Sequence, residues 1–186
     1  MKPLIPMTDY ETASAEVKAE YDDQIQKHGR ITNMKRTMLH DVQTFKTYMD
    51  WYTLYDELKP VFGDRALSIF SYAISTGNDC LICGTFFRKI LIDNGEDLNN
   101  LELNETETLL RDFGVQITKN PHAIDEAIYV KLREKYDDKV LTQLVGFAGM
   151  MYATNLFNTV ARVPLDDVLY SYMNDKIGRA SCRERV

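Results

Sequence analysis

Thiols are the most reactive groups this sequence offers. Two of its three cysteines stand in the stretch Asn78-Asp79-Cys80-Leu81-Ile82-Cys83-Gly84-Thr85-Phe86-Phe87, spaced Cys-x-x-Cys. Thr76, Gly77, Asn78 and Asp79 are breaker and cap residues. Leu81, Ile82, Phe86, Ile90 and Leu91 then continue at helical spacing. The pattern places Cys80 in the first turn of a new helix, with Asp79 or Asn78 as its N-cap. Free N–H groups and the positive end of the helix dipole favour an anion there. A thiolate is such an anion, so Cys80 is a candidate nucleophile of lowered pKa. Residues at i and i+3 are helical neighbours, so Cys83 is placed to close a disulfide with Cys80.

Two plainer readings of the same pair stay open. Cysteine is among the most buried residue types, and two on one helical face also describe core packing. Cys-x-x-Cys is equally half of a zinc site. A structural zinc wants four ligands, and no second Cys-x-x-Cys or His-x-x-x-His supplies them. The histidines stand singly at His28, His40 and His122. Neither metal nor cofactor is expected.

The elements that must carry the pair read as helices. Ser14 caps a helix in which Val17, Tyr21 and Ile25 recur, ending near Gly29. Met34 to His40 reads as a short helix. Asp41 caps a longer one, with Phe45, Met49, Tyr52 and Leu58 as its apolar stripe, until Pro60. A helix from Asp64 leads to the cysteines and is apolar on nearly all sides through Leu67, Ile69, Phe70, Ala73 and Ile74. The cysteine helix stops at Asn94-Gly95. Asn104-Glu105-Thr106-Glu107 resembles a capping box and opens a helix to about Thr118. Another runs from Asp125 to Tyr136. The last, about Asp138 to Val163, carries no charge between Val140 and Ala161. Gln143, Thr154, Asn155, Asn158 and Thr159 interrupt it, and no positive flanks mark a membrane topology, so a core or subunit-interface helix is expected. Gly146, Gly149 and Ala153 give it a small-residue face for close helix approach. No strand alternation with hairpin signals occurs. The fold class is all-α, a compact multi-helix bundle.

Length and charge bound the rest. The chain's 186 residues and 45% hydrophobic content suit one globular domain, taken as 1–176. A net charge of -6 without a basic run argues against a nucleic-acid partner. Met1-Lys2-Pro3-Leu4-Ile5-Pro6 has no signal-peptide character, so a reducing cytoplasm is expected, where a Cys-x-x-Cys is catalytic more often than structural. Residues 177–186, Ile177 to Val186, resemble a translated DNA-sequencing adapter. They are set aside as non-native, Cys182 with them.

Three blocks carry a family resemblance. They are His28-Gly29-Arg30-Ile31-Thr32-Asn33-Met34 through Leu39-His40, the helix from Arg65 into Cys80-Leu-Ile-Cys83, and Gly146 through Asn158 followed by Val163-Pro-Leu-Asp166. In this order they resemble the carboxymuconolactone decarboxylase-like superfamily, in particular its alkylhydroperoxidase D-type branch. The resemblance implies an all-helical fold that forms dimers, trimers or hexamers, with the cysteine pair at the active site and the more C-terminal cysteine, Cys83, meeting the peroxide. It also exposes departures. Active peroxidase members extend the motif to Cys-x-x-Cys-x-x-x-His and carry a glutamate after an arginine on the preceding helix. Here those positions are Phe87 and, after Arg65, Ala66. Only Cys80 and Cys83 carry over.

Two functions are therefore expected as alternatives. One is a thiol–disulfide oxidoreductase with weak or altered hydroperoxide reductase activity, whose partners are a small peroxide and a thiol or disulfide reductant. The other is a catalytically reduced homo-oligomer that binds a small molecule or partner, with Phe86 and Phe87 filling the old site. A lactone decarboxylase is a third and remoter expectation. Whether the sulfurs face a pocket or solid core separates the first two.

Overall fold

The computed structural model describes residues 2–173; the set-aside segment 177–186 lies outside them. Among the described residues there are eight α-helices and one terminal 3-10 helix, with no strand. The helices are α1 Ala15–His28, α2 Asn33–Met38, α3 Val42–Asp50, α4 Thr53–Gly77, α5 Leu81–Asp93, α6 Glu105–Lys119, α7 Glu126–Lys135 and α8 Asp138–Ala161; the 3-10 turn is Asp167–Tyr172.

Local chemistry sets most of the boundaries. Side chains of Ser14, Thr32, Asp41, Asp125 and Asp137 accept the cap hydrogen bonds of α1, α2, α3, α7 and α8. Asn104 and Glu107 form the full capping box of α6. One expected boundary is wrong. The chain breaks at Trp51 and Tyr52 and not at Pro60, which lies inside α4. The real interruption is Gly63, whose φ of 78° and ψ of 161° kink α4 just before Asp64. Glycine reaches that region without steric cost, so the break falls there.

α4 packs against α5, α6 and α8 and is the central element. Its approach to α6 is close from both sides: a Cβ on Gly114 would lie 3.2 Å from Ala73 and Phe70, and one on Gly77 would overlap the Thr118 side chain. Leu67, Phe70, Ile74, Leu110, Phe113, Leu144 and Phe147 fill the resulting core, into which Ala66 also packs. Arg65 ties this layer to the loop before α6, bonding Glu96 and the nearly buried Glu107.

A second apolar cluster lies around the start of α5. Tyr21, Met34, Met38, Leu39, Phe45, Ile82, Ala161, Val163, Leu165 and Leu169 enclose Cys80 and Cys83. It is closed by stitches between distant segments. The Asn33 N–H donates to Asp166 Oδ1 at 2.8 Å, and Asn33 Nδ2 donates to the carbonyls of Pro164 and Leu165. The N–H groups of Leu4 and Ile5 both reach the Ala161 carbonyl at the end of α8. Two of the sequence blocks named above, around Asn33 and around Asp166, thus meet in space.

α8 is one described helix long and apolar enough to cross a bilayer. Its Leu144, Phe147, Met150 and Met151 face the core, while Val145 (61% exposed), Leu156 (65%) and Val160 face outward. Gly146 receives Leu54 of α4 at 3.2 Å, whereas Gly149 opens onto free space. Only part of the small-residue face is therefore used within the chain.

Candidate active site

Cys80 is itself the N-cap of α5, with extended backbone (φ -84°, ψ 103°); neither Asn78 nor Asp79 caps it. Asp79 instead takes the left-handed conformation, φ 53°. That bend lets the Cys80 N–H reach back to the Ser75 carbonyl at 2.9 Å while its own carbonyl accepts the Gly84 N–H. The cysteine sits half a step earlier than its spacing suggested. The physical expectation survives, because an N-cap side chain faces the same free N–H groups.

Both cysteines are free thiols, and both are buried, Cys80 1% and Cys83 6% exposed. They act on each other before anything else. The Cys83 thiol holds Cys80 below the ordinary thiol value, against burial. The N–H groups of Cys83 and Ile82 and the Thr159 hydroxyl add to this, although no hydrogen bond of full cap geometry forms. Cys83 is driven well above the ordinary value by the same contact with Cys80 and by burial; the Asn158 carboxamide partly opposes this. Asp79 is not among the influences on Cys80.

α8 supplies the polar surroundings. Asn158 Nδ2 donates to Cys83 Sγ at 3.2 Å and to Met34 Sδ at 3.4 Å. Ser75 Oγ donates to Asn155 Oδ1 at 3.3 Å. Ser71, Ser75, Thr85, Thr154, Asn155 and Asn158 are all buried where α4, α5 and α8 meet. Five polar atoms in this seam have no hydrogen-bond partner: Ser71 Oγ, Thr85 Oγ1, Thr154 Oγ1, Asn155 Nδ2 and Asn158 Oδ1. Buried polar atoms without a protein partner are rare in folded proteins, and five of them gather here. Tyr52 approaches from the start of α4. It is 38% exposed as a residue, while its phenol is desolvated by its surroundings. Burial first, and then the Cys83 sulfur, hold its phenol well above the ordinary value.

None of the other sequence candidates joins this group. His40 bonds the Pro6 carbonyl at 2.8 Å. Asp64 pairs with Lys59 and Tyr55. His28 lies among Lys27, Lys35 and Asp23 on the outside of α1. Ala66 and Phe87 belong to the α4–α6–α8 core, not to the cluster that holds the thiols. Among the described residues no group of three or more His, Cys, Asp or Glu side chains could hold a metal ion. Sequence reasoning missed Asn158, Thr159 and Tyr52. The signal for the first two was present, as polar residues recurring in a helix otherwise free of charge; it served only as an argument against a membrane span.

No family model matches the chain, and no curated protein matches it. Solved structures do. An uncharacterized peroxidase-related protein from a Silicibacter species superposes with a TM-score of 0.68 at 16% identity, over 91% of this chain and 96% of that one. A second uncharacterized peroxidase-related protein, from Ralstonia eutropha and described as an alkylhydroperoxidase AhpD core, superposes with a TM-score of 0.70 at 17% identity, over 90% and 94%. At such identities the likeness is one of fold, and at that level the chain has the all-helical alkylhydroperoxidase D-like architecture.

Proposed function

We propose that the chain is a thiol–disulfide oxidoreductase that reduces small hydroperoxides slowly through Cys80 and Cys83. One observation carries this reading: two free thiols in mutual contact at a helix start, with Cys80 made more acidic and Cys83 less so. The position of Cys80 at the helix N-terminus and the enclosure of Cys83 one turn further in divide the labour between a nucleophile and a proton donor. Cys80 is then the attacking thiolate, in contrast to the role the family resemblance implies for Cys83. Its sulfur bonds to the terminal oxygen of R–O–O–H, the O–O bond breaks, and the departing alkoxide takes the Cys83 proton to leave as alcohol. The Cys83 thiolate then attacks the Cys80 sulfenic acid. An S–S bond forms, the S–O bond breaks, and hydroxide leaves to become water with a solvent proton. A dithiol reductant restores both thiols; in a reducing cytoplasm such reductants are abundant. Lacking the imidazole and carboxylate of the resembled family, this relay forgoes acid–base help worth about 10²–10⁴-fold.

Burial favours a second reading. Cysteines buried to this degree, with Phe86 packed against their cluster, are also what a catalytically reduced, ligand-binding relative would keep. Alkylation-shift mass spectrometry after mild hydrogen peroxide separates the two. The redox reading expects Cys80 and Cys83 to lose their free thiols together and regain them with a dithiol. If both stay reduced, or label only after denaturation, the pair is core and the second reading stands.

A further inference from the structure

Cys80 and Cys83 are both buried, so whatever reacts with them must first pass their cover. Most of that cover is helical. Tyr21 of α1, Met34 and Met38 of α2, Phe45 of α3 and Ile82 of α5 are held by backbone bonds that each helix makes within itself. The exception lies beyond α8. That helix ends at Arg162, a non-glycine residue in the left-handed region (φ 53°, ψ 49°), and the chain turns off the helix axis there as a strap, residues 163–172. The strap starts beside the thiols, because the Val163 N–H donates to the carbonyl of Asn158, whose side chain lies on Cys83. It runs against α5 to the far end of that helix. There the Tyr172 hydroxyl donates at 2.6 Å to Oδ1 of Asp93, the last residue of α5. Between these points Val163, Leu165 and Leu169 are buried in the cluster that encloses both cysteines.

Little holds the strap in place. Its own regular structure is one 3-10 turn, whose bonds have poorer geometry than those of an α-helix. Two latches join it to the body. Asn33, the first residue of α2, donates its N–H to Asp166 Oδ1 at 2.8 Å and its Nδ2 to the carbonyls of Pro164 and Leu165 at 3.2 Å. Tyr172 is the second latch, bonded to Asp93 and with Lys89 Nζ 5.1 Å from its ring centroid. No α-helical bond has to break for the strap to lift. A few side-chain bonds and three apolar contacts are enough, and such segments are the first to open in a folded protein. The N-terminal lead-in is the other irregular cover. It lays Ile5 against the cluster and is pinned by Thr8 to the Tyr21 hydroxyl and the Arg36 carbonyl.

We propose that residues 163–172 are a hinged lid over the thiol pair: turning about Arg162, the strap lifts Val163, Leu165 and Leu169 from the cluster and admits a small hydroperoxide, and afterwards the reductant, to Cys80 and Cys83. Asn33 and Asp93 are the latch points that set how often it opens. What enters rests on the redox reading of the pair; the motion itself does not. The lid reconciles buried cysteines with a reaction that must touch them.

The test is native-state alkylation of the full chain carrying Cys182→Ser, with iodoacetamide as the probe and mass spectrometry reading Cys80 and Cys83 at rising urea. Opening a strap uncovers little surface, so the labelling rate of the parent should hardly change with urea below the unfolding transition. Asn33→Ala keeps the backbone N–H and removes the carboxamide. Tyr172→Phe keeps the ring and removes the hydroxyl. Each should speed labelling about three- to tenfold, the worth of a lost hydrogen bond. Leu110→Ala, in the separate α4–α6–α8 core, lowers global stability but should leave the labelling rate unchanged; Ile128→Val serves the same purpose if that variant does not fold. Labelling that climbs with urea in step with global unfolding, or that the core variant speeds as much as the strap variants do, would mean that the thiols are reached by whole-chain unfolding and would overturn the lid. Native labelling that neither Asn33→Ala nor Tyr172→Phe alters would place the route elsewhere and overturn it too. Hydrogen peroxide applied to the same proteins keeps the two claims apart. Strap-dependent alkylation without disulfide formation sinks the redox reading and leaves the lid. Disulfide formation at a rate the strap variants do not change sinks the lid and leaves the redox reading.

Discussion

Ala66 and Phe87 stand at the positions where the resemblance would put a glutamate and a histidine; Ala66 is buried in the apolar core of α4, α6 and α8 and the half-buried Phe87 packs against it. At Ala66 the departure is more than a missing functional group, because the buried site has no room for a longer, charged side chain. Ala66→Glu places a carboxyl beside Leu67 and Phe70 at a position 3% exposed. An unpaired buried carboxylate is among the costliest substitutions, so a loss of about 2–5 kcal/mol is expected in denaturant unfolding. A variant as stable as the parent would show that the core has room for the family's relay after all. At this scale the sequence was legible where chemistry is local. Cys80 and Cys83 could be picked out by spacing, and their position at a helix start followed from Thr76 to Asp79. Asn158 could not be picked out, because what marks it is a partner 75 residues away in the chain. The emphasis on Cys80 was readable from the helix start, against the role the resemblance implies for Cys83; the contact of Cys83 with α8 was not.

Helix α4 carries the most information per residue. Its apolar surround and central place were readable from the run between Leu67 and Ile74, but its start was not. Proline at residue 60 looked like a terminator, whereas Gly63 with its positive φ is where the axis breaks. Capping chemistry is local and was read correctly at Ser14, Asp41 and Asn104. At Cys80 it failed because Asp79 adopts a conformation that only the folded junction enforces. The α4–α6 contact gives the sharpest element-scale expectation. Gly77→Ala would drive a methyl into the Thr118 side chain, whose β-branch leaves few rotamers for escape. Overpacking of this kind costs about 1–3 kcal/mol. The measurement is a thermal melt, with Thr118→Ser as companion change. If Gly77→Ala melts like the parent, α4 and α6 are less closely packed than described.

For the molecule as a whole, the outward stripe of α8 is the feature left without a partner. Val145, Leu156 and Val160 recur along one face with no charge among them, and Gly149 on the same face has free space above it. Contiguous apolar surface of this sort marks an interface, and a second copy of the chain is the occupant expected from its self-matching, uncharged character. Light scattering should find a homo-oligomer at micromolar concentration, and Leu156→Glu with Val160→Glu should dissociate it without unfolding. A parent chain that is monomeric there would defeat the expectation. Met150 is no probe of this face, since it is buried in the core and its replacement by Glu would report folding instead. One last feature of the whole chain bears on when, not how, the thiols are covered. The stitch from Asn33 to Asp166 spans 133 residues, and the Asn158 contact over Cys83 spans 75. Closures of that length come after local helices have formed. During synthesis α5 emerges before α8, so while the chain between them is made the two sulfurs lack the cover that α8 gives them. An oxidant or mispairing thiol therefore reaches them more readily on the nascent chain than in the finished fold, where both cysteines are buried.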